Sequence, residues 1–151
     1  MYNGPETFGE IVAYRAKTRP NERFIRFESG DLTYQEFHQK GNKLANLVMS
    51  LGLNKADTCA VMLPNSSEFL ITWLGLARLG VIEVPINVAF RGDLLVYILN
   101  KAECQALVIS AQWVDRLNEI SAQLEYLRHV IVVGDEPQIK SNRFTWYSFE
   151  K

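Results

Sequence analysis

Residues 58–86 read TCAVMLPNSSEFLITWLGLARLGVIEVPI, and the punctuation of this stretch decides the fold class. Thr58 to Leu63 is a short β-prone run without polar alternation, the form of a strand buried on both faces. From about Ser67 to Leu79 the chain reads as a helix. Phe69, Leu70, Ile71, Trp73, Leu74, Leu76 and Leu79 make that helix apolar nearly all round, so more than one of its sides must be covered. Asn65 stands between strand and helix with Glu68 three residues on, which makes it the expected N-cap. Gly80 then separates the helix from a second apolar run, Val81 to Ile86. Buried strand, helix and buried strand in succession form the unit that joins parallel neighbours in a covered sheet.

The same alternation continues downstream. A helix starting near Gly92 and Asp93 leads to Gln105–Ile109, then to an amphipathic segment with Trp113, Leu117, Ile120 and Leu124, then to the apolar run His129–Val133. Upstream, Thr7 with Glu10 forms a capping-box signature, and Pro20 stops the helix it opens. Arg23 to Glu28, the turn Ser29-Gly30-Asp31, and Leu32-Thr33-Tyr34 read as a short hairpin. A second capping box, Thr33 with Glu36, opens a helix whose Phe37, Leu44, Leu47, Val48 and Leu51 share a face, and Gly52 is placed to end it in the left-handed conformation. The expected fold is therefore α/β: a mainly parallel sheet with helices on both faces and a small N-terminal β-hairpin. No internal repeat, low-complexity tract or linker divides the chain, so residues 1–151 are expected to form one unit.

The chain has 151 residues, 48% of them hydrophobic, 22% charged and 11% aromatic, which fits an ordinary globular domain and excludes bulk disorder. Sixteen Lys and Arg against 17 Asp and Glu give a net charge of −1 without a long block of either sign, so no nucleic-acid or anionic-membrane partner is expected. The most apolar stretch, Phe69 to Phe90, is interrupted by Arg78, Glu83 and Pro85 and is not expected to span a bilayer. The N-terminus shows neither a basic region nor an apolar one of the signal-peptide type, so the expected location is cytoplasmic. In that setting the glycosylation pattern Asn65-Ser66-Ser67 is accidental, and Cys59 and Cys104 are expected as reduced core residues without a metal.

Searching for chemistry in single motifs yields little. The nine glycines never form G-x-G. Gly75 and Gly80 have the spacing of a phosphate loop, but Val81 and Ile82 stand where its Lys and Ser or Thr are needed, so both read as a packing contact and a helix cap. His38 and His129 belong to no metal or nucleophile motif. Asp135 and Glu136 follow a strand and Gly134, where an acid can bind ribose, but they read first as a solvated turn. Trp73 and Trp113 read as core aromatics.

The order and wording of the segments say more. Leu32-Thr-Tyr-Gln-Glu-Phe37, Asn46-Leu-Val-Met-Ser-Leu-Gly-Leu53, Ala60-Val-Met-Leu-Pro-Asn-Ser-Ser-Glu-Phe69 and Trp73-Leu-Gly-Leu-Ala-Arg-Leu-Gly-Val-Ile-Glu-Val-Pro-Ile-Asn87 resemble the amino-terminal region of the adenylate-forming superfamily. That superfamily includes acyl-CoA synthetases, luciferases and peptide-synthetase adenylation domains. Asp93-Leu-Leu-Val-Tyr-Ile-Leu99 and Ala106-Leu-Val-Ile-Ser110 look like its next helix and strand. The Trp-Leu-Gly-Leu-Ala run and Pro85-Ile-Asn-Val-Ala-Phe-Arg91 are most similar to carnitine or crotonobetaine CoA ligases and to fatty-acid-transport-type acyl-CoA synthetases.

The resemblance implies a two-step ligation. A carboxylate attacks the α-phosphate of ATP, accompanied by Mg2+, to give an acyl-adenylate and pyrophosphate; the CoA thiol then displaces AMP. It also implies phosphate-binding parts: a Ser/Thr/Gly-rich loop ending in Pro-Lys, an aromatic-Gly-x-Thr-Glu segment, an Asp on the ribose, and a lysine in a mobile carboxy-terminal domain. None of these motifs occurs in residues 1–151. The expectation is an amino-terminal subdomain that has no catalytic residue of its own, binds no cofactor alone, and has the remainder of a longer polypeptide as partner. Such a fragment is expected to retain an apolar face and to self-associate. Two alternatives stand beside it: a natural stand-alone, non-catalytic binding module, and part of an adenylation enzyme that loads a carrier protein. The segment after the Val-Pro strand borders the nucleotide end of CoA in several such ligases, which puts Phe90, Arg91 and Gly92 in a CoA-proximal place. Arg91 would pair with a phosphate and Phe90 lie against adenine; the alternative is a solvated loop before a helix capped by Gly92 and Asp93.

Overall fold

Two threonine–glutamate pairs start the first two helices. The computed structural model describes residues 4–28, 30–135, 137–138 and 140–150; Ser29 of the expected hairpin turn and Glu136 lie outside them. Thr7 caps α1 (Phe8–Thr18), and Thr33 caps α2 (Tyr34–Ser50). In each case the threonine hydroxyl accepts the N–H of a glutamate three residues on, and that carboxylate accepts the threonine N–H in return. Between them, β1 (Arg23–Phe27) and β2 (Gly30–Thr33) pair antiparallel. Gly52, at φ +87°, follows the end of α2 as its position foretold.

The rest of the chain alternates: β3 (Thr58–Met62), α3 (Ser67–Leu79), β4 (Ile82–Pro85), α4 (Gly92–Lys101), β5 (Ala106–Ser110), α5 (Val114–Ile120), β6 (His129–Val133) and β7 (Thr145–Ser148). The five strands form one sheet, entirely parallel, in the order β4-β3-β5-β6-β7. Side-chain alternation along each strand feeds two cores. Cys59, Val61, Ala106, Val108 and Ile131 face α1, α2 and α3, whereas Ala60, Met62, Leu107, Ile109, Val130 and Val132 face α4 and α5. Both faces are thus buried, which is why these runs carry no polar alternation.

The closest helix contact is between α2 and α3. A Cβ at Gly41 would lie 2.5 Å from Leu74 Cδ2, and one at Gly75 would lie 3.0 Å from Leu44 Cδ2, so each glycine admits the leucine of the other helix. Gly75 is therefore a packing residue and Gly80, at φ +68°, the left-handed cap of α3. Both match their sequence reading.

Three local expectations are corrected. The N-cap of α3 is Ser66, whose Oγ accepts the Phe69 N–H, not Asn65; the strand-to-helix turn runs one residue longer than expected. Trp73 is no core aromatic: it lies on the outer side of α3, 45% exposed, stacked on Phe8 at a centroid distance of 4.4 Å. The N-cap of α4 is Arg91 rather than Gly92 or Asp93, and no side chain caps it; Asp93 sits in the first turn.

Candidate functional site

A parallel sheet presents its chemistry at the carboxyl ends of its strands, above all where the winding reverses. Here the reversal falls at β3. The chain leaves β3 through α3 on one face to reach β4, then crosses through α4 on the other face to reach β5 on the opposite side of β3. The loops after β3 and β5 therefore diverge, Leu63–Ser66 toward one layer and Ala111–Trp113 toward the other. The loop after β4 lies along the same edge and holds the three residues singled out from sequence.

That loop is built by its own residues. Asn87 Oδ1 accepts the Ala89 N–H at 2.9 Å, and Asn87 O accepts the Phe90 N–H at 3.0 Å, which closes a turn at residues 87–90. Phe90 is half-buried against the core formed by α4 and α5. Arg91 is exposed, extended at φ −149° and ψ 165°, and its side chain makes no hydrogen bond or ion pair with any described residue. Gly92 has φ +51° with open space around it, so it turns the chain into α4 in a conformation that other residues adopt reluctantly. The structure thus keeps the three together, with an aromatic ring anchored and a guanidinium free beside it.

One residue at this edge escaped the sequence reading. Arg116 of α5 donates from Nη1 to Val88 O at 2.5 Å, and its guanidinium carbon lies 5.7 Å from the centre of the Trp113 ring. Trp113 is accordingly half-buried beneath a cation. The Trp113–Arg116 spacing, one helical turn, was the only signal in sequence; nothing there points from Arg116 to Val88.

Other titratable groups lie elsewhere. Glu83 sits on edge strand β4 beside Cys59 in register, and burial raises its carboxyl to about 7. His38 is lowered by burial and then by the Arg78 charge; His129 is lowered by burial and then by Arg128. His38 contacts Arg78 and Asn42, and His129 contacts the Tyr147 hydroxyl, so neither activates a Ser or Cys among the described residues. A cavity of about 590 Å3 lies beside β6 and β7, walled by Gly134, Asp135, Lys140, Trp146 and Tyr147. Asp135 there is exposed, as a solvated turn requires. Among the described residues no cluster of His, Cys, Asp and Glu could hold a metal ion, and no helix is long and apolar enough to cross a membrane.

Comparison with known proteins places this geometry. The family described as AMP-binding enzyme matches residues 12–150. Crotonobetaine/carnitine–CoA ligase of Salmonella typhimurium is 36% identical over 105 residues, covering 69% of this chain and 20% of that protein. The ligase of the same name from Citrobacter koseri is 29% identical over 133 residues, covering 84% of this chain and 26% of that protein. The chain therefore spans about a fifth to a quarter of the length of these curated relatives. Among solved structures, the anthranilate CoA ligase AuaEII in complex with anthranoyl-AMP superposes with a TM-score of 0.87 at 21% identity, over 96% of this chain and 27% of that one. The N-terminal domain of FACL13 from Mycobacterium tuberculosis gives a TM-score of 0.75 at 23% identity, over 97% of this chain and 34% of that one. At these identities the structural likeness speaks for the fold.

Proposed function

The chain belongs to the AMP-binding enzyme family, and we propose that it is the amino-terminal subdomain of an ATP-dependent acid–CoA ligase, inactive by itself. The observation that carries this reading is the 36% identity to crotonobetaine/carnitine–CoA ligase across 69% of the chain. In the longer protein a carboxylate would attack the α-phosphate of ATP, with Mg2+ bound, releasing pyrophosphate and leaving an acyl-adenylate. The CoA thiol would then attack the acyl carbon and expel AMP, giving the thioester.

The charge that builds on the phosphates in the first step needs oriented N–H groups, cations and metal. Residues 1–151 hold none of the family's phosphate-binding motifs, and the described residues hold no metal cluster. What the chain contributes is the carboxyl edge and the loop after β4. There Arg91, free of any described partner, is suited to pair with a phosphate of CoA, and the half-buried Phe90 offers a ring beside it. Gly92, at φ +51°, turns the backbone into α4 directly after them.

The test is pyrophosphate release from ATP, Mg2+ and a panel of carboxylic acids, with CoA present. The 151-residue chain gives no release above a protein-free control, while the full-length product of its gene gives release together with AMP and acyl-CoA. Release by the 151 residues alone, or acylation of a carrier protein in place of CoA by the full-length product, overturns the proposal.

A further inference from the structure

The loop that carries Phe90 and Arg91 is hydrogen-bonded by a residue 28 positions beyond Val88. β4 and β5 are not neighbours in the sheet; β3 lies between them. The Arg116 hydrogen bond therefore joins the loop after edge strand β4 to the helix after central strand β5, across the point where the winding reverses. The guanidinium is part-buried, and its one hydrogen bond to a described residue is to Val88 O. Its carbon lies over the ring of Trp113, 5.7 Å from the centre, and Trp113 precedes α5 and packs into the same core as Phe90. A charge-assisted bond to Val88 O and a packed ring beneath the cation hold the guanidinium, and with it the Val88 carbonyl.

We propose that Arg116 is the positioning residue of the loop after β4: through Val88 it determines where Phe90 and Arg91 stand on the carboxyl edge. The Asn87 turn is local, and the half-buried Phe90 packs the loop onto the core of α4 and α5. Neither holds the Val88 carbonyl or ties it to the helix after β5. Arg116 supplies that tie. Its consequence for the ligase rests on the reading above, in which Arg91 meets CoA; its consequence for the loop does not.

The experiment has two arms. In the first, amide hydrogen exchange at Ala89 and Phe90 is compared between the full-length protein and its Arg116→Met variant, which retains the apolar stem over Trp113 and removes the donor. Loss of a charge-assisted bond predicts exchange faster by about tenfold at these amides, with the core amides of β5 unchanged. Arg116→Lys, which keeps a donor but no fork, recovers part of the protection. Unchanged exchange at Ala89 and Phe90 overturns the proposal, as does a general rise that reaches β5.

In the second arm, KM for CoA rises about tenfold in Arg116→Met while KM for ATP stays within about twofold. Arg91→Ala separates the two claims. If Arg91→Ala raises KM for CoA and Arg116→Met does not, the positioning role is overturned and the CoA contact stands. If Arg91→Ala leaves KM for CoA unchanged while exchange in Arg116→Met is faster, the CoA contact is overturned and the positioning role stands.

Discussion

Arg78 on α3 donates from Nη2 to Nδ1 of His38 on α2 at 3.0 Å, so a guanidinium is held by an imidazole rather than by a carboxylate. Arg has no acceptor, so Nδ1 must accept and the imidazole is neutral with its proton on Nε2; that N–H is satisfied by Asn42, 3.1 Å away, when the amide is turned to present Oδ1 rather than Nδ2. Arg78 Nε is buried without a partner among the described residues. A second cation on His38 would leave the pair repelling each other where water cannot screen them fully.

Stability should therefore fall on mild acidification. Burial, and then Arg78, hold His38 below its ordinary 6.5, so the unfolded chain takes up its proton first as pH drops. The contribution is complete above about pH 6.5 and is lost as pH falls toward the lower folded value. Urea midpoints at pH 7.5 and 5.5 are expected to differ more for the native chain than for His38→Gln. Equal differences would remove His38 as the cause.

Glu83 runs the other way. Burial raises its carboxyl from 4.5 to about 7, so the folded chain keeps a proton that the unfolded chain has released. Its contribution is complete below 4.5 and lost as pH rises through about 7. Glu83→Gln should be more stable than the native chain at pH 8 and about equal at pH 4.5. The gain is of order 1 kcal/mol or less, because the carboxyl remains partly open to solvent. A Glu83→Gln chain no more stable than the native one at pH 8 would contradict this.

Gly41→Ala should destabilise although alanine is the better helix former. The new methyl would lie 2.5 Å from Leu74 Cδ2 and 2.8 Å from its Cγ, and Leu74 is wholly buried. Overpacking of this kind costs about 1–3 kcal/mol, against a propensity gain of about 1 kcal/mol. Leu74→Ala in the same chain makes room for the methyl, so the two changes together should cost less than the sum of the two alone. Additive costs would mean that the helices move apart freely.

Neither cysteine should react in the native state. Cys59 and Cys104 are both free and buried. Burial raises both thiols, Cys59 beyond the usual thiol range with help from Cys104 and Glu83, and Cys104 to about 11. A thiol reagent at pH 8 is expected to label neither until guanidinium unfolds the chain, and then both. Rapid native labelling would show that the sheet opens locally.

The sequence carried the secondary structure of the main fold closely. His129–Val133 matches β6 residue for residue, and both capping boxes stand as read. β7 went unread because Thr145-Trp-Tyr-Ser148 is a four-residue edge strand, too short for periodicity and lacking the continuous apolar run of the inner strands. Phe90, Arg91 and Gly92 were singled out as a candidate site through resemblance alone, since their neighbours show no motif.

What the sequence determined by itself is whatever acts within one turn of chain: caps that satisfy nearby N–H groups, apolar runs that demand burial, and glycines that permit left-handed backbone. Those forces settle the α/β class and nearly every element. The tertiary structure alone decided the strand order, the outward place of Trp73, the His38–Arg78 pair and the Arg116–Val88 bond. Each joins residues from elements distant in sequence, and such pairs meet only after two cores have packed against one sheet. Their energies depend on that packing rather than on any neighbour in the chain.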